Sequence, residues 1–158
     1  AHNTIVKNLK NEKCLSCNII ETNKSIILKS VFETFEHNRE FIFTKSKLEI
    51  IDNVKNLKKC NDNDKFSLLF HLHPNVNIKG CKDNYIIQND CLVMLTYNDL
   101  NLYIYSDSKK KPTLYGCENP KIGWYSSDFG KLQKTKTIEF SKKGQNEIKF
   151  ISFIDITI

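Results

Sequence analysis

The chain has almost no arginine: Arg39 is the only one among its 24 Lys and Arg residues. Proteins that read nucleic acid favour arginine, whose planar guanidinium forms bidentate hydrogen bonds to bases and phosphates. The formal net charge of +6 therefore comes from lysine, spread along a chain that is also rich in Asn and Ile. This pattern indicates a biased composition, and we expect no nucleic-acid partner. An acidic polysaccharide stays open as a partner for the basic surface.

Long apolar segments are missing too. None approaches the roughly 18 residues of a membrane-spanning helix, so we expect no membrane partner. We also find no convincing amphipathic helix, no internal repeat and no domain linker in the 158 residues. That length suits one domain with a real core, and we interpret residues 1–158 as a single domain. The chain begins at Ala1 with the pattern of a strand, and we expect it to be a piece of something longer.

The six cysteines do not complete a zinc motif. Cys14 and Cys17 have the C-x-x-C spacing of metal and redox sites, but no second pair with that spacing follows. A thioredoxin-like motif needs a helix directly after it, whereas residues 18–20 have the character of a strand. We interpret these two as reduced thiols that lie close together, and Cys91, which lies in an apolar segment, as a buried one.

The clearest pattern in the chain lies in Lys65–Asn75, KFSLLFHLHPN. Because successive side chains of a strand point to opposite sides, alternate residues form two faces. One face is bulky and apolar: Phe66, Leu68, Phe70 and Leu72. The other is mixed: Ser67, Leu69, His71 and His73. This pattern predicts a central strand of a packed sheet, which Pro74 ends because proline cannot donate to the ladder.

Similar short segments recur at about ten-residue spacing, separated by polar turns. We predict a turn at residues 36–38 and hairpins at residues 45–47 and 98–99. The predicted strands are residues 2–9, 25–35, 41–43, 48–54, 76–78, 85–87, 92–97, 100–105, 135–140 and 147–158. The sequence therefore predicts an all-β fold, an antiparallel β-sandwich of jelly-roll-like type with many short strands.

Four motifs resemble, in order and spacing, those of the heparinase II/III-like polysaccharide lyases. Residues 1–4 resemble that family's AHNT segment. Residues 39–52, REFIFTKSKLEIID, resemble its R-x-F strand and the L-x-I-x-D strand that follows. Residues 70–74 resemble its FHLHP strand. Residues 123–130 are similar to its late S-x-x-Y-G loop, which precedes a terminal strand. The resemblance spans nearly the whole chain.

This resemblance implies a specific division of labour. In the family an α-helical toroid comes first and an antiparallel β-sandwich follows. Uronate-containing polysaccharide is cleaved by β-elimination, with Tyr, His and Asn residues on the helical part and the earliest sandwich strands. The chain would then be the C-terminal sandwich, structural and substrate-supporting, with no catalytic residue of its own and no activity alone. Its implied partners are the helical toroid of the same protein and acidic polysaccharide, in the periplasm or cell envelope.

The resemblance also implies one metal ligand. The histidine of AHNT, His2 here, resembles a zinc ligand whose partners, a His and an Asp, lie just upstream. Zinc takes three or four protein ligands, so a single histidine holds it poorly. We therefore expect zinc in the full-length protein and none in this chain alone.

Two other readings of the chain stay open. Trp124 and Tyr125 are candidate substrate-binding residues, because aromatic rings stack on sugars, and they suit a carbohydrate-binding sandwich without chemistry. His71 and His73 form an H-x-H pair on one strand face, as in cupin-type metal enzymes. The Glu that a cupin normally adds a few residues later is missing, because Asn77 and Ile78 occupy that region.

Overall fold

A computed structural model describes residues 4–9, 12–59, 64–119, 121–144 and 146–157, and these residues form strands and no helix. Consequently no helix in this part of the chain is able to cross a membrane. The strands are β1 (Thr4–Lys7), β2 (Cys14–Glu21), β3 (Ser25–Phe32), β4 (Phe35–Phe43), β5 (Lys47–Asn56), β6 (Lys65–His71), β7 (Asn77–Asp83), β8 (Cys91–Tyr97), β9 (Leu100–Ser106), β10 (Leu114–Tyr115), β11 (Cys117–Glu118), β12 (Lys121–Ile122), β13 (Trp124–Asp128), β14 (Lys131–Lys134), β15 (Lys136–Lys143) and β16 (Glu147–Thr157).

Two antiparallel sheets make up the body of the molecule. The larger sheet has eight strands in the order β2-β3-β4-β5-β16-β9-β8-β7, and the smaller has four in the order β1-β6-β15-β10. Strands β11–β12 and β13–β14 form two separate hairpins. The predicted all-β antiparallel sandwich is confirmed.

The hydrophobic core lies between the two sheets. Edge-to-face aromatic pairs occur in it, such as Phe35 of the large sheet with Phe66 of the small one, 5.4 Å between ring centres. Such pairs add to the free energy gained from burying apolar area. The buried members of this core are Ile5, Phe35, Ile50, Val54, Phe66, Leu68, Phe70, Leu72, Cys91, Val93, Leu95, Ile104, Ile138, Phe140, Ile148 and Phe150.

The central strand β6 has the predicted faces. It lies between β1 and β15, and its apolar face is buried in the core. On its other face Ser67 and Leu69 are buried as well, because Leu69 packs with Val6 and Ile122 in a second apolar cluster. The outer face of the small sheet is therefore covered near Leu69, whereas His73, beyond the end of β6, is exposed.

The predicted strand over residues 25–35 is confirmed as far as Phe32, where β3 ends, and the predicted turn at residues 36–38 is wrong. The chain turns three residues earlier, at Glu33 and Thr34, and residues 36–38 lie inside β4. The carboxylate of Glu12 fixes this turn, because it accepts hydrogen bonds from the amide and hydroxyl of Thr34 at 3.1 and 2.6 Å. This contact joins residues 22 positions apart, so the local pattern did not reveal it.

The predicted strand over residues 85–87 is also wrong. The amides of Tyr85, Ile86 and Ile87 donate to the carboxylate of Asp90 at 2.5, 2.8 and 2.9 Å. Backbone donors held in this way are not available to a sheet ladder. The first predicted strand is shorter than expected: β1 ends at Lys7 because Asn8 and Leu9 both have positive φ.

The burial predicted for Cys91 is confirmed. Cys14 and Cys17 lie exposed on the edge strand β2, and Cys91 is fully buried. Burial, with a hydrogen bond to Asp83, raises the pKa of Cys91 to about 12. This thiol therefore stays protonated at neutral pH and acts as a small apolar side chain.

Candidate functional site

Three rings meet beyond the end of the central strand. The imidazole of His73 contacts Tyr125 at 4.9 Å between ring centres and Tyr97 at 5.9 Å, both edge to face. The amide of Asn75 donates to His73 Nδ1 at 3.2 Å, and Nε2 of this exposed ring has no hydrogen-bond partner among the described residues. We call His73, Tyr97 and Tyr125 the His73 cluster; it unites one candidate from each of the two alternative readings of the sequence.

His71 lies two residues earlier and contacts a different side chain. It is half-buried, and its Nδ1 lies 2.9 Å from the hydroxyl of Thr137 on the neighbouring strand β15. Among the described residues no group of three His, Cys, Asp or Glu side chains has the geometry of a metal site. His71 and His73 therefore have no third ligand in this part of the chain. The predicted ligand His2 lies outside the described residues, so that assignment stays a prediction.

A hydrogen bond from its indole nitrogen fixes the position of Trp124. Its indole Nε1 donates to the carbonyl of Cys117 at 2.9 Å, and the ring is half-buried. The ammonium groups of Lys121 and Lys134 lie 5.8 and 5.7 Å from the ring centre, within cation–π range. Trp124 therefore sits beside two cations, an arrangement that suits an anionic sugar better than a neutral one.

A glycine fixes the start of the strand that carries Trp124 and Tyr125. Gly123 has a φ of +79°, and a side chain there would lie 2.7 Å from both the amide of Gly116 and the carbonyl of Thr135. Its own carbonyl accepts hydrogen bonds from the amides of these two residues at 3.1 and 2.8 Å. Only glycine combines this conformation with so close a backbone contact, and the contact ties β13 to the sandwich.

A second polar group lies inside the core, and sequence reasoning missed it. Asp52 accepts from His37 Nε2 and from Arg39 Nε, each at 2.6 Å, and from a second guanidinium nitrogen of Arg39 at 3.3 Å. All three side chains are buried, with 0% of Asp52 exposed. We call them the buried ion cluster. Arg39 and Asp52 are the Arg and Asp of the R-x-F and L-x-I-x-D motifs, and this was the one signal in the sequence.

The buried ion cluster pairs the charge of its carboxylate within the core. Burial by itself raises the pKa of Asp52, but the hydrogen bond from His37 and the charge of Arg39 outweigh it, so this pKa lies below its ordinary value. Asp52 is therefore ionised at neutral pH and uses the single arginine of the chain. The cluster therefore has a structural role, because its charges pair with one another inside the core and are not exposed to a ligand.

The fold and these sites define an antiparallel β-sandwich with an aromatic cluster at one end. The family described as heparinase II/III-like, C-terminal, matches residues 29–153. The chain therefore belongs to this heparinase II/III-like family, as its motifs predicted. No curated protein matches the chain.

Solved structures agree on the fold. Two structures of a heparinase III, the BT4657 gene product, one of them with methylated lysines, superpose with a TM-score of 0.72 at 18% identity. Another heparinase III structure gives 0.74 at 12% identity. Each match covers 99% of this chain, but only 23% or 24% of the heparinase III chain. The present chain thus spans about a quarter of the length of these relatives.

Proposed function

We propose that this chain is the C-terminal sandwich portion of a polysaccharide lyase that cleaves uronate-containing polysaccharide by β-elimination. In this proposal it supports the catalytic part and the substrate and does not supply the catalytic base. The observation that carries it is the family match over residues 29–153, together with a fold match to a quarter of heparinase III. The zinc ligands other than His2, and the helical toroid, would lie N-terminal to residue 1.

The chemistry supports this division. β-Elimination needs a base for the proton at C5, a cationic or hydrogen-bonding group for the uronate carboxylate, and an acid for the departing C4 oxygen. In this chain Arg39 and His37 are buried on Asp52, and His71 bonds to Thr137. These side chains are therefore poorly placed for substrate, which supports a catalytic centre supplied by another part of the protein.

The His73 cluster is the best candidate for a substrate-supporting surface. It offers aromatic edges and an imidazole nitrogen, with the cations beside Trp124 close in sequence. Sugars bind to such surfaces by ring contacts, and acidic sugars gain further from nearby positive charge. We propose acidic polysaccharide as the ligand, and the periplasm or cell envelope as the place where the protein meets it.

Activity of this chain compared with that of the full-length protein tests the proposal. We expect the full-length protein to generate the ultraviolet absorbance of a C4–C5 double bond from heparin or another uronate polymer, and this chain alone to generate none. In the full-length protein Tyr125→Ala should raise KM more than it lowers kcat, whereas Tyr115→Ala, at an exposed tyrosine of β10, should change neither. Lyase activity in this chain alone, abolished by His73→Ala, would overturn the division of labour. Binding of polysaccharide without turnover by the full-length protein would favour a non-catalytic carbohydrate-binding sandwich.

A further inference from the structure

Five lysines border a groove at the other end of the central strand. The groove has a volume of about 590 Å³ and its lysines are Lys65, Lys109, Lys111, Lys142 and Lys143. We call it the lysine groove. It lies where β6 begins, whereas His71 and the His73 cluster lie where β6 ends. At about 3.3 Å per residue, the six steps from Lys65 to His71 separate the two by about 20 Å.

The fold brings two distant lysine-rich segments together to make this groove. The loop after β9 runs antiparallel beside β15: Ser141 donates its amide to Lys109 at 3.3 Å, and Lys111 donates its amide to Glu139 at 2.8 Å. These bonds hold Lys109 and Lys111 next to the end of β15, where Lys142 and Lys143 follow. These lysines therefore belong to segments that backbone hydrogen bonds hold in place, and not to a free tail.

Only part of this charge is neutralised within the molecule. Lys65 Nζ lies 2.6 Å from Glu139, and Lys142 Nζ lies 2.9 Å from Asp107. Within the described residues, Lys109, Lys111 and Lys143 form no salt bridge. The one carboxylate in the described lining, Asp107, is thus taken by Lys142, and the other three lysines have no salt-bridge partner in this part of the chain. Like charges held close together favour an anionic ligand.

We propose that the lysine groove binds the sulfate or carboxylate groups of an acidic polysaccharide, as a subsite separate from the His73 cluster. The choice of polysaccharide rests on the proposed function; the anion preference rests on the groove. Polar groups suited to sugar hydroxyls, those of Ser108, Ser141 and Asn89, share its lining. Among the described residues no aromatic side chain lines it, although single-stranded nucleic acid gains much of its affinity from base stacking. The arginine that phosphate recognition favours is buried elsewhere on Asp52.

Binding to the chain tests this, with size-defined heparin oligosaccharides and a sulfate-free oligouronate as the two probes. The double variant Lys109→Glu, Lys143→Glu should lose affinity on the order of tenfold and should show a weaker dependence on salt. The matched control Lys29→Glu, Lys79→Glu changes the same charge at exposed lysines on β3 and β7 and should lose less than about twofold. The probe that binds more tightly identifies sulfate or carboxylate as the preferred group.

Four outcomes would overturn the proposal: neither probe binds at physiological salt, both double variants lose affinity equally, the groove variant binds as the wild type does, or a single-stranded oligonucleotide displaces bound heparin at equal concentration. Thermal unfolding shows that each variant is folded, and the milder Lys109→Ser, Lys143→Ser variant should lose part of the affinity. Because the readout is binding, its failure is distinct from failure of the proposed lyase function, which is read by turnover in the full-length protein.

Discussion

Arg39 and Asp52 face one another across β4 and β5 and form a salt bridge inside the sandwich core, with Nε to Oδ1 at 2.6 Å. They stand 13 positions apart in the chain, at the ends of the two motifs that follow one another in residues 39–52. This salt bridge explains why one motif position is an Arg and the other an Asp. A charge in the core is tolerable only if it is paired and hydrogen-bonded, and each residue supplies what the other needs.

Removing the carboxylate should therefore be costly. Asp52→Asn removes the charge that pairs with the buried guanidinium of Arg39, and breaking such a pair from one side costs about 3–5 kcal/mol of unfolding free energy. Urea unfolding measures this loss. Asp99→Asn, at the exposed hairpin between β8 and β9, removes the same charge and should change the free energy by less than about 0.5 kcal/mol. Similar losses in the two variants would contradict the role given to the buried ion cluster.

The buried ion cluster should also make the free energy of unfolding depend on pH under acidic conditions. The pKa of Asp52 is lower in the folded chain than its ordinary value, so the unfolded chain binds the proton more tightly. The stabilisation from this group is therefore present above the ordinary pKa of an Asp and is lost as pH falls through the lower folded value, that is below about pH 4. Urea unfolding across this range should give a steeper fall for the wild type than for Asp52→Asn. An identical pH dependence of the two would show that Asp52 is not linked to folding in this way.

The two faces of β6 give a third test. Phe70→Ala removes a fully buried ring that packs on Phe140 at 5.9 Å, and should cost on the order of 3–5 kcal/mol. His71→Ala removes a half-buried ring and its contact with Thr137, and should cost under about 1 kcal/mol. Thermal or urea unfolding compares them. If His71→Ala proves the more damaging, the histidine carries a buried interaction that its Thr137 contact does not account for.

The strands with strong period-two patterns were predictable, and the turns and loops fixed by a single side-chain carboxylate were not. Bulky residues at alternate positions identified β6, and short apolar runs around residues 98–99 identified the β8–β9 hairpin. The turn at Thr34 depends instead on Glu12, and the loop before β8 depends on Asp90. A short-range pattern contains no information on the Glu12 contact, which spans 22 positions. The Asp90 contacts are local, but the apolar character of residues 85–87 favoured a strand and hid the fact that a nearby carboxylate takes their amides.

The candidate sites show the same difference between what local sequence patterns indicate and what contacts in the fold determine. His73 and Tyr125 were each candidates, but their contact depends on the hairpin of β13 and β14, whose strands are too short and polar to stand out. His37 looked like part of a turn because its neighbours are Glu and Asn, and only the register of β4 with β5 places it beside Asp52. The lysine groove requires the loop after β9 to lie beside β15, about 30 residues further along the chain, and no local pattern indicates that contact.

The metal content of the chain is a fourth prediction. His71 and His73 lack a third ligand in the described part of the chain, and a single His2 does not complete a zinc site. Purified chain should therefore hold well under one zinc per molecule by elemental analysis. Stoichiometric metal that disappears on His73→Ala, but persists in the control His37→Gln, would support the cupin-type reading instead.

The last prediction concerns Gly123 and has a matched control in Gly130. Both glycines have positive φ, +79° and +76°, so a Cβ strains the backbone at either position. A methyl group at Gly130 meets no atom of the described chain within 4 Å, whereas at Gly123 it meets two backbone atoms at 2.7 Å.

Gly130→Ala should therefore cost about 1 kcal/mol, the strain alone, and leave the His73 cluster intact. Gly123→Ala should cost more, because β13 must move away from Gly116 and Thr135 before the side chain fits. That movement carries Tyr125 away from His73, so Gly123→Ala should also weaken binding of acidic polysaccharide, and Gly130→Ala should not. Urea unfolding and oligosaccharide binding on both variants measure the two effects. Equal losses in the two variants would mean that the contact around Gly123 does not position the cluster.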